Sequence, residues 1–164
     1  MLNLLNSRRS VRRWTHEPVS ESDLHDILEA AMNAPSAGNE QAWQFVVLEG
    51  EVLSHYLAIN RNCPKGAPVG ILVCGDLKTE KYPGYHIQDC CAAMENLLLA
   101  AHARGLGAVW TAVFPDNVGP TRTLLELPPH VVPIGFAPIG TPVSPTQATS
   151  RFDATKIHRN RWVA

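Results

Sequence analysis

Apolar residues along the chain recur in two spacings, and the alternation between them predicts the elements. Leu24, Ile27, Leu28 and Ala31 fall on one face at helical spacing. Ser20, with Asp23 three residues on, reads as a capping-box variant, Val19 can staple onto Leu24, and Pro35 stops the helix. Trp43 to Leu48 reads as a buried strand, and Glu51 to Asn60 as a short amphipathic helix with Leu53, Tyr56 and Leu57 inward. Val69 to Cys74 is a continuous apolar run between Pro68 and Gly75, hence a second buried strand.

The longest helix is predicted over Tyr85 to Arg104, with Gly105 as its stop. Ile87, Cys91, Met94, Leu98 and Ala101 form its stripe, and Cys90, Leu97 and Leu99 widen it past a normal surface helix. We therefore expect it to be both the core helix and a dimer contact. Ala108 to Phe114 reads as a third strand, 116–126 as a short helix, and Val131 to Gly140 as a fourth strand. Pro133 and Pro138 should push that last strand toward an edge or an irregular path. Residues 2–7 allow a turn or two of helix, and the segment 141–164, with its terminal Trp162, is expected to wrap a neighbour. Strands alternating with helices give an α/β or α+β fold.

Composition narrows this picture. A length of 164 residues, with 45% apolar and 18% charged residues, suits one globular domain over 1–164. Charged residues usually make up about a quarter of a chain, so some surface is expected to be buried against a partner. No apolar run approaches the ~20 residues of a membrane span, no leader pattern opens the chain, and a cytoplasmic location is expected. The net charge of -1 hides an asymmetry. Residues 1–13 and 151–164 hold eight Lys/Arg against one acid, Asp153, while 14–150 hold six against fourteen. If the two ends meet in space, they make an anion site. A nucleic-acid surface needs a strongly basic domain, and the pI near 6.6 argues against one.

Several chemistries find no support in the spacing. Cys63, Cys74, Cys90 and Cys91 form no CxxC and read as buried thiols. The seven histidines form no HxH or HExxH, so no metal is expected. Pro35-Ser36-Ala37-Gly38 lacks the first glycine of a hydrolase elbow. Gly105-Leu106-Gly107 follows a helix rather than opening one, and fails as a dinucleotide loop.

Two segments do carry chemistry. Arg8-Arg9-Ser10-Val11-Arg12-Arg13 offers guanidinium forks for a phosphate, with a solvated basic patch as the plain alternative. Ala34 to Trp43 reads plainly as a helix stop and turn. Yet Ser36, Asn39 and Gln41 set three hydrogen-bonding side chains beside an aromatic, as a planar ligand with polar edges would require.

The string RRSVRRW, then about twenty residues, then APSAGNEQAW running into a strand, resembles the FMN-dependent nitroreductase family. The helix from Gln88-Asp89 through Asn96 to His102, then Gly105-Leu106-Gly107 and a strand with Trp110-Thr111, follow in the family's order. The resemblance implies an α+β fold, with an antiparallel-dominated sheet flanked by helices, and an interlocked homodimer with FMN at the interface. It implies that Arg8, Arg9, Ser10 and Arg12 are flavin contacts, Arg8 and Ser10 at the phosphate and Arg12 at the pyrimidine edge. Pro35, Ser36, Asn39 and Gln41 would lie in the loop laid against the flavin by the partner subunit. Arg151 would close on the phosphate, and the backbone from Trp110 and Thr111 to Val113 would supply N–H groups to the ring. Lys65, with Asn62 three residues before it, would assist, although a solvated loop lysine is the simpler reading.

The implied activity is electron transfer from NAD(P)H through flavin N5 to a small-molecule electron acceptor (nitroaromatic, quinone or flavin) in a ping-pong cycle, with no catalytic side chain. Other chemistries on the same fold are the alternatives: reductive dehalogenation, flavin fragmentation, dehydrogenation, or flavin binding or redox sensing without turnover. Two departures stand out: Ala42 replaces the proline usual before the tryptophan, and only nine residues separate Gly75 from Tyr85, too few for lid helices.

Overall fold

A computed structural model describes residues 2–145 and 147–162; the rest of the expected 1–164 domain (residues 1, 146, 163 and 164) lies outside the described residues. The described residues hold five α-helices, α1 (Leu2–Ser7), α2 (Glu21–Met32), α3 (Gly50–Ile59), α4 (His86–Ala103) and α5 (Pro115–Leu124). The strands are β1 (Trp43–Glu49), β2 (Val69–Asp76), β3 (Gly107–Ala108), β4 (Thr111–Ala112) and β5 (Val131–Gly140). They form one sheet in the order β1-β2-β5, with β3 and β4 following one another along the far side of β5, and every pairing is antiparallel. The α+β reading with an antiparallel sheet holds.

Helices cover both faces of this sheet. Leu24, Ile27, Met94 and Leu97 of α2 and α4 pack with Val69, Ile71, Val73, Ala137 and Ile139. Leu53, Tyr56 and Leu57 of α3 pack with Leu72, Cys74 and Phe136 on the opposite face. Alternate residues of β2 thus enter different cores, which is why its sequence is apolar from Val69 to Gly75 and every residue of the strand, Asp76 included, is buried. Gly70 is required here, because a Cβ would stand 2.0 Å from Phe136 Cζ.

Several expectations are refined. The strand with two prolines takes the irregular path rather than the edge position, since β5 pairs with β2 on one side and with β3 and β4 on the other. Its ladder shifts register between Val73 and Cys74, which pair with Gly135 and Pro133. On the other side, Pro138 stands opposite the break between β3 and β4, where no pairing is lost. β1 is the edge strand, and only Trp43 and Leu48 along it are buried. The predicted 108–114 strand is two short stretches broken at Val109-Trp110. Leu98 belongs to the chain's own core at 5% exposure, and Ile87 is the exposed large apolar residue of α4.

The entering chain is pinned beside this sheet. Val11 N–H donates to Ala108 O at 3.0 Å, and Trp14 Nε1 donates to Gly107 O at 2.8 Å. Thr15 N–H donates to Thr141 O at 2.8 Å, and Val143 N–H donates to Arg13 O. Val11 and Trp14 are buried with Ala67 and Val109. This anchoring fixes the arginine segment and sets the 141–143 stretch next to it.

Candidate functional site

The two basic ends of the chain meet. Arg9, at the end of α1, donates from Nη2 to Thr149 O at 2.7 Å and from Nη1 to Asn6 O at 2.9 Å. Arg9 and Arg151 line one cavity of about 480 Å³ between α1 and the 148–152 segment. Arg9 Nε is buried without a protein acceptor. A guanidinium N–H held in place but unsatisfied is a donor suited to an anion.

The neighbouring residues of the motif face elsewhere. Arg8 is half-buried, and its Nε lies 3.4 Å from Glu95 Oε1 on α4. Alongside, Ser7 Oγ and His102 Nε2 share a hydrogen bond of 2.8 Å, which seats α1 on α4. Ser10 and Arg12 are exposed, and among the described residues neither side chain has a protein partner. Val11 takes the inward position between them.

The 34–42 loop is a separate structure at the start of α4. Gly38, Asn39 and Gln41 all adopt left-handed backbone, at φ 49, 55 and 52. Two side chains hold this tight path: Ser36 Oγ accepts from Gln41 N–H at 3.0 Å, and Asp89 Oδ1 accepts from Ala37 N–H at 2.9 Å. Glu40 turns inward and is buried, while Pro35, Asn39 and Gln41 turn out to solvent and Ser36 is half-buried. Tyr82 packs over Gly38, where a Cβ would stand 2.4 Å from its ring.

A third group lies on the outer edge of the sheet. Trp110 is 38% exposed at the break between β3 and β4. Thr111 is buried and its hydroxyl donates to Phe136 O at 3.0 Å, so only its backbone can face a ligand. Asn62 Nδ2 donates to Ala112 O at 3.0 Å and ties the 61–66 loop to β4. Lys65 is exposed and lines a different groove, with Leu53, Leu57 and Pro68.

One protomer therefore joins Arg9 to Arg151 and leaves the 34–42 loop, Lys65 and Trp110 outside that cavity. Sequence reasoning missed Glu40 and Asp89, since a carboxyl in a loop or a first helical turn reads as surface. Asp89 is raised above the usual carboxylate range by burial, and by Glu40 and Glu80 nearby. Glu80 is held below that range by His86, whose Nδ1 lies 2.7 Å from Glu80 Oε1. Burial pushes the Cys74 thiol up to about 12; Cys63, Cys74 and Cys90 are buried as expected, whereas Cys91 is only half-buried. Among the described residues His25, Asp26 and Glu29 form an exposed group of metal-ligating types, with Asp26 already bound to Arg104 at 3.3 Å. No helix among the described residues is long and apolar enough to cross a membrane.

Comparison with known proteins agrees with this architecture. The family model described as the nitroreductase family matches residues 5–65 and 52–141. A protein of Methanothermobacter thermautotrophicus, provisionally named an NADH dehydrogenase/NAD(P)H nitroreductase, is 41% identical over 99% of this chain and 87% of its own. A provisionally named NADH oxidase of Clostridium acetobutylicum superimposes with a TM-score of 0.92 at 34% identity, covering 97% of this chain and 99% of that one. A provisionally named nitroreductase of Desulfovibrio desulfuricans, solved in complex with FMN, gives 0.84 at 32% identity over 99% and 97%.

Proposed function

Because this chain belongs to the nitroreductase family, we propose that it is an FMN-dependent oxidoreductase carrying electrons from NAD(P)H to a small oxidised acceptor, a nitroaromatic, quinone or flavin. The observation that carries the reading is the cavity shared by Arg9 and Arg151, with Arg9 Nε buried and unpaired. The donor set fits the group. An FMN phosphate bears nearly two negative charges, and Arg151 together with the unpaired Nε of Arg9 supplies cationic N–H donors from opposite ends of the chain.

FMN, when bound, supplies two-electron chemistry, taking hydride from NAD(P)H and returning reducing equivalents to the acceptor in a ping-pong sequence. The chain's own residues bind and orient. Arg9 and Arg151 are assigned to the phosphate end, while Arg8, on its Glu95 tether, and the exposed Ser10 lie outside their cavity. Arg12, exposed and without a protein partner, is assigned to the pyrimidine edge, where a guanidinium stabilises negative charge. The outward residues Pro35, Ser36, Asn39 and Gln41 are assigned to the flavin of the opposite protomer in a homodimer. The backbone at Trp110 and Thr111, on an unpaired sheet edge, offers N–H groups to the ring, and Lys65 assists from the adjacent loop. No side chain is needed as acid or base.

Spectroscopy tests this directly. The purified protein should be yellow, and NAD(P)H should bleach its flavin band anaerobically. A colourless protein that does not take up added FMN would defeat the proposal.

A further inference from the structure

Glu40 and Asp89 meet where three segments join: the 34–42 loop, the 77–85 turn and the first turn of α4. Both are buried, at 4% and 3% exposure. Each commits one oxygen to backbone. Asp89 Oδ1 accepts from Ala37 N–H, and Glu40 Oε2 accepts from Lys81 N–H at 2.6 Å and Tyr82 N–H at 3.0 Å. Their remaining oxygens, Glu40 Oε1 and Asp89 Oδ2, are buried with no donor from the protein. Both residues close on the same turn: Asp89 takes Ala37 N–H, while Glu40 N–H donates to Ala37 O at 2.9 Å, and the Glu40 side chain helps to raise Asp89.

Two adjacent carboxylates shielded from water do not both ionise unless a cation answers them. Among the described residues neither is in an ion pair. Glu80, the other charged group facing Asp89, adds negative charge and is itself bound by His86. Lys81 contributes its backbone N–H while its side chain is exposed. On α4 the neighbouring Cys90 thiol is kept protonated by burial.

We infer that Glu40 and Asp89 share a single proton, and that the resulting O–H···O bond fastens the loop bearing Ser36, Asn39 and Gln41 to helix α4. One proton satisfies both orphaned oxygens. The pair acts as a positioning device, touching neither cofactor nor substrate. It secures a loop that needs securing, since two of its left-handed residues are not glycine. That this loop meets a flavin rests on the proposed function; the shared proton does not.

The direction of the pH effect follows. The closed state binds a proton that the open, hydrated loop gives up above about pH 4. Loop stability from the pair is full below that value and is lost as pH rises through the raised value of the closed state. Across that window protection falls about tenfold per pH unit, then levels off.

The test uses the full-length protein as purified, E40Q and D89N. Either amide supplies an N–H in place of the shared proton. Infrared spectroscopy at neutral pH should show the carbonyl stretch of a buried protonated carboxyl in the wild type and lose it in both variants. Hydrogen-exchange protection at Ala37 and Tyr82, corrected for intrinsic rates, should decline with pH in the wild type and stay flat in E40Q and D89N. A wild type without that band, or variants that keep the wild-type pH slope, would overturn the inference. Neither readout depends on turnover, so a failed activity assay and a failed proton assignment remain distinguishable.

Discussion

One arginine of the motif stands apart from the others. Within the arginine motif, Arg8 and Ser10 are the residues that the resemblance sets at the phosphate, yet Arg9 shares the cavity with Arg151. The motif was legible as a basic cluster. Which arginine turns inward depends on α1 ending at Ser7 and on Val11 being pinned to Ala108, and neither can be read locally. Arg9→Ala and Arg151→Ala should each weaken FMN retention about 10- to 100-fold, the loss of a charge-assisted bond of ~1.5–3 kcal/mol. Equilibrium titration monitored by flavin fluorescence checks this; unchanged affinity in both variants would move the phosphate elsewhere. Gly70→Ala tests the core instead. Its Cβ would enter the Phe136 ring, an overpacking that should cost ~1–3 kcal/mol and lower Tm by several degrees.

At the scale of elements, helices were easier to read than strand order. α2 carries its own start signal: Ser20 accepts from Asp23 N–H at 3.1 Å and its hydroxyl donates back to Asp23 Oδ2 at 2.6 Å. Asp23 also takes Arg104 Nε at 2.6 Å, so one carboxylate braces the Ser20 cap of α2 and ties it to the end of α4. Ser20→Ala should cost about 1 kcal/mol, measured by denaturant unfolding. The Ser20 hydroxyl, then Arg104, hold Asp23 below its usual range. Its contribution is therefore present above the unfolded value and is lost as pH falls through the lowered one; D23N should flatten that part of the acid-unfolding curve.

Strand position was the less legible quantity. Proline in β5 suggested an edge because a ladder donor is missing, but the bulge at Pro133 and the gap between β3 and β4 let both prolines sit in the centre. Likewise the continuous apolar run in β2 correctly implied burial on both faces, yet not the antiparallel pairing around it. Such facts belong to the neighbouring strands rather than to the segment itself. The same limit applies to Leu98, where the helical stripe cannot say which apolar face meets the sheet. Because Leu98 is inside the protomer core, Leu98→Asp should abolish folding rather than yield soluble monomers.

For the molecule as a whole, the charge asymmetry of the sequence acquires a location. The ends that carry eight of the fourteen basic residues come together at Arg9, Thr149 and Arg151. Beyond that contact the chain carries large apolar side chains with little to cover them, Phe152 at 79%, Ile157 at 56% and Trp162 at 78% exposure. Such surface is stable in water only if something covers it, and the proposed homodimer supplies a second copy as the cover. Removing residues 147–164 tests both roles of the segment at once. The truncated protein should lose FMN through the missing Arg151, and light scattering should report monomers where the full chain gives dimers. Because the sheet and both cores lie within residues 11–140, its circular dichroism and its cooperative unfolding should survive. A truncated protein that still holds FMN as a dimer would place both the anion contact and the intersubunit contact in the body of the fold, and would detach the proposed activity from the meeting of the two ends.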